Sequence, residues 1–334
     1  MIKVGSDFSG VGAFNQALMR LGIEYDEIFA CDMDKYARET FIHNYGKPKY
    51  YPKDVYEREI PKESLDIYMT SPPCQAFSMS GKRLGKEDSR GVLFFNSHEF
   101  IKKNRPRYFI FENVKGLLSH DSGNTFNEWV NMLGGKSVNG LPVIFPYEDS
   151  VPYHIYYKVM NAKKYGVPQN RERVFIIGVR DDQDNYFRWA KEEPLNKRLK
   201  DILELNVDSK YVLSEKMNQY LSKCNNSDYV KVKSANKKGY EIARCGDSIN
   251  LSVPKSDTRR GRVGKGVSQT LDTHCNQATM QGQEIRRLTP RECFRLMDFP
   301  DTFSWVCSDS QAYKQAGNSI VVRCLELIIN NLIK

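Results

Sequence analysis

The amino-acid sequence predicts an α/β fold, with a Rossmann-like, mostly parallel sheet joined to a smaller domain that is mostly irregular or β. Two observations support this prediction. Between residues 2 and 180, short apolar runs alternate with helical patterns, which is typical of βαβ units. After about residue 182 the alternation fades into a polar, basic stretch that lasts to about residue 285, and helical character then returns.

The first part of the chain supplies the elements of such a sheet in order. Strands are predicted at residues 2–8, 25–31, 65–70 and 108–111. Helices are predicted at about residues 12–21, 35–44 and 92–103, and Asp34 is placed to cap the second of them. Ligands of open α/β sheets bind at the carboxyl ends of the strands, so the residues that follow each strand are the candidates for function.

The remaining elements are expected to close the sheet and the domain. Residues 155–159 and 173–179 flank a turn containing Gly166 and Pro168, and we expect them to pair as an antiparallel hairpin. Residues 134–150, rich in glycine and proline, are expected to form a surface insertion. Two further helices are predicted at residues 290–297 and 320–333; the apolar spacing of the second requires a core to pack against.

Composition excludes several classes of protein. The chain has 334 residues, 40% of them apolar, and no apolar run near the roughly 18 residues that a bilayer span requires. Its eight cysteines include no Cys-x-x-Cys pair, so neither a disulfide framework nor a zinc module is indicated, and no metal is expected. The strand-like start of the chain argues against a secretion signal, which leads us to expect a cytoplasmic protein.

The net charge of +9 is concentrated in one segment. Residues 231–265 contain ten basic residues and three acidic ones, so most of the excess lies there. Such a run can be a solvated, lysine-rich loop or a surface for a polyanion. The run Arg259-Arg260-Gly261-Arg262 favours the second interpretation, because the glycine lets a backbone approach phosphates closely.

Residues 8–13, Phe-Ser-Gly-Val-Gly-Ala, form a glycine turn between the first strand and its helix. The dinucleotide pattern G-x-G-x-x-G requires glycine where Asn15 stands, so NAD is disfavoured. Asp32 ends the second strand, where an acid can accept bonds from ribose hydroxyls or simply cap a helix. Asp54 can bond an adenine amino group or be an ordinary turn acid.

A thiol, a carboxylate and a guanidinium are predicted to meet at the same edge of the sheet. Cys74 follows two prolines at the end of the third strand, and Glu112 ends the next strand. Arg171 and Arg173 flank Glu172 and would bring a guanidinium to this edge. Each residue also has an ordinary interpretation: an inert core cysteine, a surface acid and a structural ion pair.

Together these residues resemble the DNA (cytosine-5) methyltransferases of bacterial or phage type. The matching motifs run in order along nearly the whole chain, at residues 7–12, 71–80, 88–91, 112–114, 169–173, 291–293 and 315–319. Only residues 182–285 lack a counterpart, and this family has its variable target-recognition domain there. The resemblance therefore implies a catalytic and cofactor-binding domain at 1–181 plus 286–334 and a target-recognition domain at 182–285.

The resemblance implies that a cytosine is flipped out of duplex DNA and methylated at carbon 5. Cys74 would add to carbon 6, Glu112 would stabilise the charge that develops on the ring, and Arg173, with Arg171 as a less certain partner, would bond its exocyclic oxygen. Residues 75–91 would close over the flipped nucleotide. The residues expected to contact DNA are Gln75, Ser78, Ser80, Lys82, Arg90, Arg259, Arg260, Arg262 and Thr270. The three arginines could read guanine edges or only neutralise phosphates.

The cofactor that the resemblance implies is S-adenosyl-L-methionine, with S-adenosyl-L-homocysteine as product. Its expected contacts are Phe8, Ser9, Gly10, Val11, Gly12, Asp32, Met33, Asp54, Val55, Pro73, Leu93, Asn318, Ser319 and Ile320. Met33 replaces a large aromatic residue and Ala13 a glycine found in some relatives. Expected partners are double-stranded DNA and a cognate restriction endonuclease, in a restriction-modification or phage self-protection system, and a monomer without membrane contact is expected.

Three other functions remain as alternatives. A nucleotide-dependent thiol oxidoreductase could use the same sheet with Cys74 as a redox centre, but it lacks a partner cysteine at Cys-x-x-Cys spacing. A DNA-binding module with a vestigial site would keep the basic segment without the chemistry. A third alternative keeps the chemistry with RNA as substrate, and the long basic segment favours DNA over it.

Overall fold

The computed structural model describes residues 1–73, 92–225, 228–282 and 284–333. The chain divides into two compact units. Unit 1 comprises Met1–Met160, Glu172–Ala190 and Leu325–Lys334, and unit 2 comprises Asn161–Arg171 and Lys191–Cys324. These boundaries differ from the division at 181/182 and 285/286 that the sequence suggested. The sequence-based division separates a catalytic from a target-recognition domain, and it stays a prediction.

Numbered along the chain, the strands are β1 (Ile2–Asp7), β2 (Tyr25–Cys31), β3 (Ile67–Thr70), β4 (Tyr108–Val114), β5 (Ser137–Val138), β6 (Leu141–Pro142), β7 (Tyr153–Asn161), β8 (Gln169–Asn170), β9 (Glu172–Arg180), β10 (Ser222–Asn225), β11 (Val230–Lys233), β12 (Tyr240–Ala243), β13 (Ser248–Asn250), β14 (Val263–Gly264), β15 (Ser268–Gln269), β16 (Gln277–Gln281) and β17 (Glu284–Arg287). The α-helices are α1 (Ala13–Arg20), α2 (Lys35–Tyr45), α3 (Val92–Asn104), α4 (Asn124–Leu133), α5 (Glu215–Leu221), α6 (Pro290–Leu296), α7 (Asp309–Asn318) and α8 (Val322–Leu332).

An eight-stranded sheet lies at the centre of unit 1, in the order β2-β1-β3-β4-β9-β7-β5-β6. Strands β1 to β4 are mutually parallel, and β9 runs antiparallel to β4. The chain adds β2 on one side of β1 and β3 on the other, so the topological switch point lies between β1 and β3. In a sheet of this kind the ligand crevice is expected at the carboxyl ends of those two strands.

Strands β3 and β4 are mostly apolar and buried along nearly their whole length, which is typical of the centre of a parallel sheet, whereas β1 ends in the buried polar residues Ser6 and Asp7. All four residues of β3 are buried, and aromatic side chains such as Phe29, Phe100 and Phe109 fill the core against the sheet. Helix α2 begins where the sequence predicts, since the Asp34 carboxylate accepts hydrogen bonds from Tyr36 N (3.0 Å) and Ala37 N (3.1 Å).

Three smaller sheets are formed by the described residues of unit 2. Their orders are β10-β11-β12, β14-β13-β16-β17 and the parallel pair β15-β8. Apolar side chains of the first two sheets, among them Val232, Ile249 and Met280, form a core of their own. Helix α6 starts with a capping box in which Thr289 and Glu292 bond each other's backbone N–H groups, and Arg286 pairs with the buried Glu292 carboxylate.

Most predicted elements are confirmed. Strands β1 to β4 and helices α1 to α3, α6 and α8 lie within three residues of the predicted bounds, and β7 and β9 are neighbours in the sheet. The predicted insertion at 134–150 contains the short β5–β6 hairpin. Helices α4, α5 and α7 were missed. No helix in the part of the chain that the structure describes is both long and apolar enough to cross a bilayer.

Candidate active site

The glycine turn after β1 is a left-handed loop at the switch point. Phe8, Gly10 and Gly12 have φ values of 57°, 54° and 84°. The loop is closed by bonds from Ser9 N to the Cys31 carbonyl (2.9 Å) and from Gly12 N to the Ser9 carbonyl (3.0 Å). A Cβ on Gly12 would lie 2.2 Å from the Tyr45 ring, whereas a Cβ on Gly10 would meet no described atom within 4 Å. Space for a ligand therefore lies over Gly10, and Gly12 is required by packing.

Asp32 fixes this loop to the end of β2. Its carboxylate accepts hydrogen bonds from Gly10 N (2.7 Å) and Asp34 N (2.8 Å). Burial raises the pKa of Asp32, and the two backbone donors oppose that shift. Because Asp34 caps α2, the structure favours a loop-positioning role for Asp32 over a capping role. Each carboxylate oxygen has a second lone pair, which can accept a ribose hydroxyl.

The other residues of unit 1 predicted to bind cofactor surround this end of the sheet to different extents. Val11 and Val55 are buried, Met33 is 83% exposed, and Pro73 is exposed beyond the end of β3. The Asp54 carboxylate accepts a bond from Tyr56 N (2.9 Å), so it occupies a turn. Phe8 and Leu93 are half-buried and pack against the core.

A buried ion pair supports the end of β1. Asp7 accepts hydrogen bonds from Arg58 Nε (2.9 Å) and the Tyr68 hydroxyl (2.6 Å). Arg58 also donates to Asn96 Oδ1 (2.8 Å) and lies over the Phe100 ring. Burial raises the pKa of Asp7, and Arg58 opposes the shift. Sequence reasoning did not find Arg58, because nothing in an irregular segment signals that a distant strand needs its charge.

Glu112 and Arg173 form an ion pair at the next position along the rim. Arg173 Nε lies 3.1 Å from Glu112 Oε1, and both side chains keep a minor part of their surface exposed. The pair arises because β4 and β9 run antiparallel, with Val114 opposite Arg173. The adjacent Asn113 donates from Nδ2 to the Pro72 carbonyl (3.2 Å), which ties β4 to the segment leading to Cys74.

Six predicted residues lie outside the described residues: Cys74, Gln75, Ser78, Ser80, Lys82 and Arg90. The structure thus describes the chain up to Pro73 and from residue 92 onward around this segment. Within the described ranges, no group of three or more His, Cys, Asp or Glu side chains could hold a metal ion.

Arg171 does not have the environment expected of a base-contacting residue. It is 3% exposed, and its guanidinium donates to the carbonyls of Leu271 (2.9 Å), Gly317 (2.9 Å) and Ser319 (2.8 Å), all in unit 2. The expectation that it joins Arg173 on the cytosine stays a prediction, because these bonds account for its two Nη groups and not for Nε. Asn318 is exposed, while Ser319 and Ile320 are buried.

The three arginines of the basic segment differ in the same way. Arg262 is fully buried, and its guanidinium donates to carbonyls of residues 250–256, the shortest bond being to Val253 (2.8 Å). The side chain therefore supports the loop to which it belongs, and its DNA contact stays a prediction. Arg259 is half-buried, and Arg260 is exposed, with Nε bonded to the Ala235 carbonyl (2.9 Å). Thr270 is exposed and bonds the Asn170 carbonyl (2.7 Å).

The sheet order and the rim geometry define an α/β methyltransferase fold. The structure aligns with Dnmt2 methyltransferase from S. pombe at a TM-score of 0.67 and 19% identity, covering 100% of this chain and 98% of that one. It aligns with a DNMT2 variant from Spodoptera frugiperda at a TM-score of 0.69 and 19% identity, covering both chains completely. At this identity the likeness establishes the fold alone.

Sequence comparison identifies the family. Residues 2–334 match the family described as C-5 cytosine-specific DNA methylase, and the chain belongs to it. Relatives include type II methyltransferases M.HpaII of Haemophilus parainfluenzae (36% identity, 96% of this chain and 86% of the relative) and M.HhaI of Haemophilus parahaemolyticus (32%, 97% and 92%). The orphan methyltransferase M.SPRI of Bacillus phage SPR is 30% identical, over 99% of this chain and 97% of the relative.

The chain is therefore a DNA (cytosine-5) methyltransferase, and its substrate is DNA. Membership of the family also implies the use of S-adenosylmethionine. These findings confirm the family, the fold and the reaction class predicted from sequence, and they do not support the oxidoreductase alternative.

Proposed function

We propose that this enzyme flips a cytosine out of duplex DNA and methylates it through a covalent adduct with Cys74. The observation that supports this most directly is the Glu112–Arg173 ion pair. Glu112 is on β4, and the next residue of that strand, Asn113, donates a hydrogen bond to the carbonyl of Pro72. Pro72 precedes Cys74 by two residues. An acid and a guanidinium at this place can bind the polar edge of a cytosine while a thiolate attacks the ring.

The Cys74 thiolate adds to carbon 6, and the electron pair of the 5,6 double bond becomes nucleophilic at carbon 5. Glu112 stabilises the ring through nitrogen 3, and Arg173 donates to the exocyclic oxygen as negative charge develops there. After methyl transfer, loss of the carbon 5 proton to a base, proposed to be water, re-forms the double bond and expels Cys74.

The described residues fit S-adenosylmethionine as methyl donor. The space over Gly10 admits a ligand to the backbone, and Asp32 keeps acceptor capacity for ribose hydroxyls. When bound, S-adenosylmethionine supplies an electrophilic methyl group and leaves as S-adenosylhomocysteine. The proposed contacts in unit 1 are Phe8, Ser9, Gly10, Val11, Gly12, Asp32, Met33, Asp54, Val55, Pro73 and Leu93. The resemblance assigns Asn318, Ser319 and Ile320 to the same ligand.

DNA binding is proposed to involve the exposed part of the basic segment together with residues 75–90. Arg260 and Lys255 are exposed in unit 2, and cations of this kind neutralise phosphates. Because relatives include both type II and orphan phage methyltransferases, we propose that the enzyme protects DNA in a restriction-modification or phage system, as a monomer in the cytoplasm. Whether a cognate endonuclease accompanies it is part of this proposal.

The mechanism is tested with a duplex that carries 5-fluorocytosine at the target, found beforehand by bisulfite sequencing of DNA from cells expressing the enzyme. Fluorine at carbon 5 cannot leave as a proton does, so the Cys74 adduct should persist through denaturing electrophoresis. Cys74→Ser should give no adduct while still binding cofactor. An adduct in that variant, or none in the parent enzyme, would refute the nucleophile. Transfer RNA in place of the duplex tests the RNA alternative.

A further inference from the structure

We propose that Arg171 is a positioning residue and does not touch the flipped base. It joins residues 268–273, called the recognition segment because they belong to the predicted target-recognition domain, to the cofactor-binding end of α7. The inference deepens the proposed function and rests on it, because it takes Asn318, Ser319 and Ile320 as cofactor contacts. We call the group of residues at this contact the α7 junction; it comprises Arg171, Leu271, Asp272, Gly317 and Ser319.

The bonds of Arg171 fix three backbone oxygens relative to one another. Nη1 donates to the Leu271 carbonyl, and Nη2 donates to the carbonyls of Gly317 and Ser319. A guanidinium is planar and rigid, so bonds to its two Nη groups set both distance and direction. The charge strengthens each bond, and burial removes competing water. The last turn of α7 and the residue after it therefore cannot move independently of Leu271.

Packing on the opposite side restricts the α7 junction further. A Cβ on Gly317 would lie 2.1 Å from the Asp272 carbonyl oxygen and 2.8 Å from Thr273 Cα. The backbone of α7 and that of the recognition segment therefore touch directly, and only glycine allows this approach. The recognition segment and the end of α7 are thus held together in two ways: the buried Arg171 guanidinium bonds both, and Gly317 allows their backbones to be in direct contact.

The segment that reaches Leu271 is itself anchored to the residues around Arg171. Strand β15 pairs with β8, and Leu271 N donates to Gln169 Oε1 (3.1 Å). Gln169 also donates from Nε2 to the Leu296 carbonyl (2.8 Å). Residues 169–171 hence link the recognition segment to helices α6 and α7. Because the Arg171 side chain bonds the carbonyls of both Leu271 and Ser319, a movement of the recognition segment should also move Ser319.

The positions of Arg171 and Arg173 suggest different roles for the two arginines of the 169–173 motif: one in cofactor binding and the other in contact with the base. Arg173 belongs to unit 1 and pairs with Glu112, whereas Arg171 belongs to unit 2 and donates from its Nη groups to the carbonyls of that unit. If Arg171 acts on the cofactor side, its loss should weaken cofactor binding. If it acts on the base, its loss should block addition of the thiol to the ring.

An experiment that omits the cofactor distinguishes these roles. Addition at carbon 6 alone makes carbon 5 exchange its hydrogen with solvent, so release of tritium from carbon 5 of cytosine in a duplex reports on base flipping and addition. Arg171→Lys keeps the positive charge but loses the planar pair of Nη donors. For this variant we expect KM for S-adenosylmethionine to rise at least about tenfold, while kcat stays within about threefold of the parent value. Cofactor-free tritium release should stay within about twofold of the parent.

Gly317→Ala perturbs the α7 junction from the other side and leaves Arg171 in place. Because its Cβ would clash with the Asp272 carbonyl, it is assayed below its measured unfolding temperature, where it should give the same split. Arg295→Gln is the matched control, since Arg295 also binds a carbonyl of unit 2, that of Ile202, together with Asp301. It should change none of the three quantities. Lost tritium release with an unchanged KM for cofactor would overturn the inference, as would no change at all. A parent enzyme that releases no tritium would instead refute the proposed mechanism.

Discussion

Arg173 and Glu112 face each other across the antiparallel pair of β4 and β9, with Nε and Oε1 3.1 Å apart. Neither side chain is fully buried, so a substrate can replace part of this contact. In the proposed mechanism Glu112 binds ring nitrogen 3 and Arg173 binds the exocyclic oxygen. These two atoms lie side by side on one edge of cytosine, so the two side chains must be close to each other. The pair is therefore expected to act as one group.

Glu112→Gln should lower the single-turnover rate of methyl transfer about 10²- to 10⁴-fold, and Arg173→Lys about 10²- to 10³-fold. Because each residue orients the other, the double variant should lose less than the product of the two single losses. Lys115→Gln is the control, since it breaks the exposed Lys115–Glu172 pair at the ends of the same strands and should leave the rate unchanged. Fully multiplicative losses would show that the two residues act independently.

Gly10 and Gly12 are expected to respond differently to the same methyl group. Gly12→Ala meets the Tyr45 ring and strains φ, so the free energy of unfolding should fall by about 2–4 kcal/mol. Gly10→Ala meets no described atom and should cost only about 1 kcal/mol, yet weaken S-adenosylmethionine more than about tenfold because its methyl enters the ligand space.

Chemical denaturation and calorimetric titration of cofactor measure both quantities for both variants. Gly22→Ala is a suitable control for a positive φ alone: its φ is 66°, it lies just after α1, and no described atom lies within 4 Å of an added Cβ. Unchanged cofactor affinity in Gly10→Ala would place the ligand elsewhere.

The sequence was sufficient for what depends on local pattern. Strands β1 to β4 were found because each is a short apolar run bounded by polar residues, and the ends of those runs indicated Gly10, Asp32 and Glu112. Helix α7 was missed because its sequence is mostly polar and includes Gly317, which weakens a helix locally and is retained for close packing with Asp272.

Roles that depend on burial could not be read in this way. Arg260 and Arg262 are two residues apart and chemically identical, but one is exposed and the other is enclosed by carbonyls of its own loop. The motif at 169–173 likewise contains two arginines whose partners lie in different units. Only the tertiary structure decides which guanidinium remains available to a ligand.

This difference predicts opposite phenotypes within the basic segment. Arg260→Gln should leave stability unchanged and reduce the slope of log affinity for DNA against log salt by about 0.9, the effect of one lost phosphate contact. Arg262→Gln should lower the free energy of unfolding by about 2–4 kcal/mol, because buried carbonyls such as that of Val253 lose a charged donor. Urea denaturation and binding titrations at several salt concentrations separate the two. A stable Arg262→Gln enzyme with a reduced slope would restore the direct DNA contact.

The last prediction concerns pH. Burial raises the pKa of Glu27 on β2 to about 8, with Asp26 adding to the shift and the Asn15 amide, which donates to the carboxylate, opposing it. The Tyr25 hydroxyl, which also accepts from Asn15, completes the cluster. A carboxyl whose pKa is higher in the folded than in the unfolded state binds a proton more tightly when folded. Its contribution to stability is therefore complete below about pH 4.5 and is lost as the pH rises through 8.

Glu27→Gln replaces the protonated form with a side chain that cannot ionise. Relative to the parent, the variant should gain at least about 1 kcal/mol in free energy of unfolding between pH 6 and pH 9, measured by urea denaturation at both values. The change is read as a difference between proteins, so groups that titrate equally in both cancel. Glu24→Gln, at an exposed position just before the same strand, should show no such gain. A parallel pH dependence of the parent and Glu27→Gln would show that the carboxylate is already charged in the folded enzyme at pH 6.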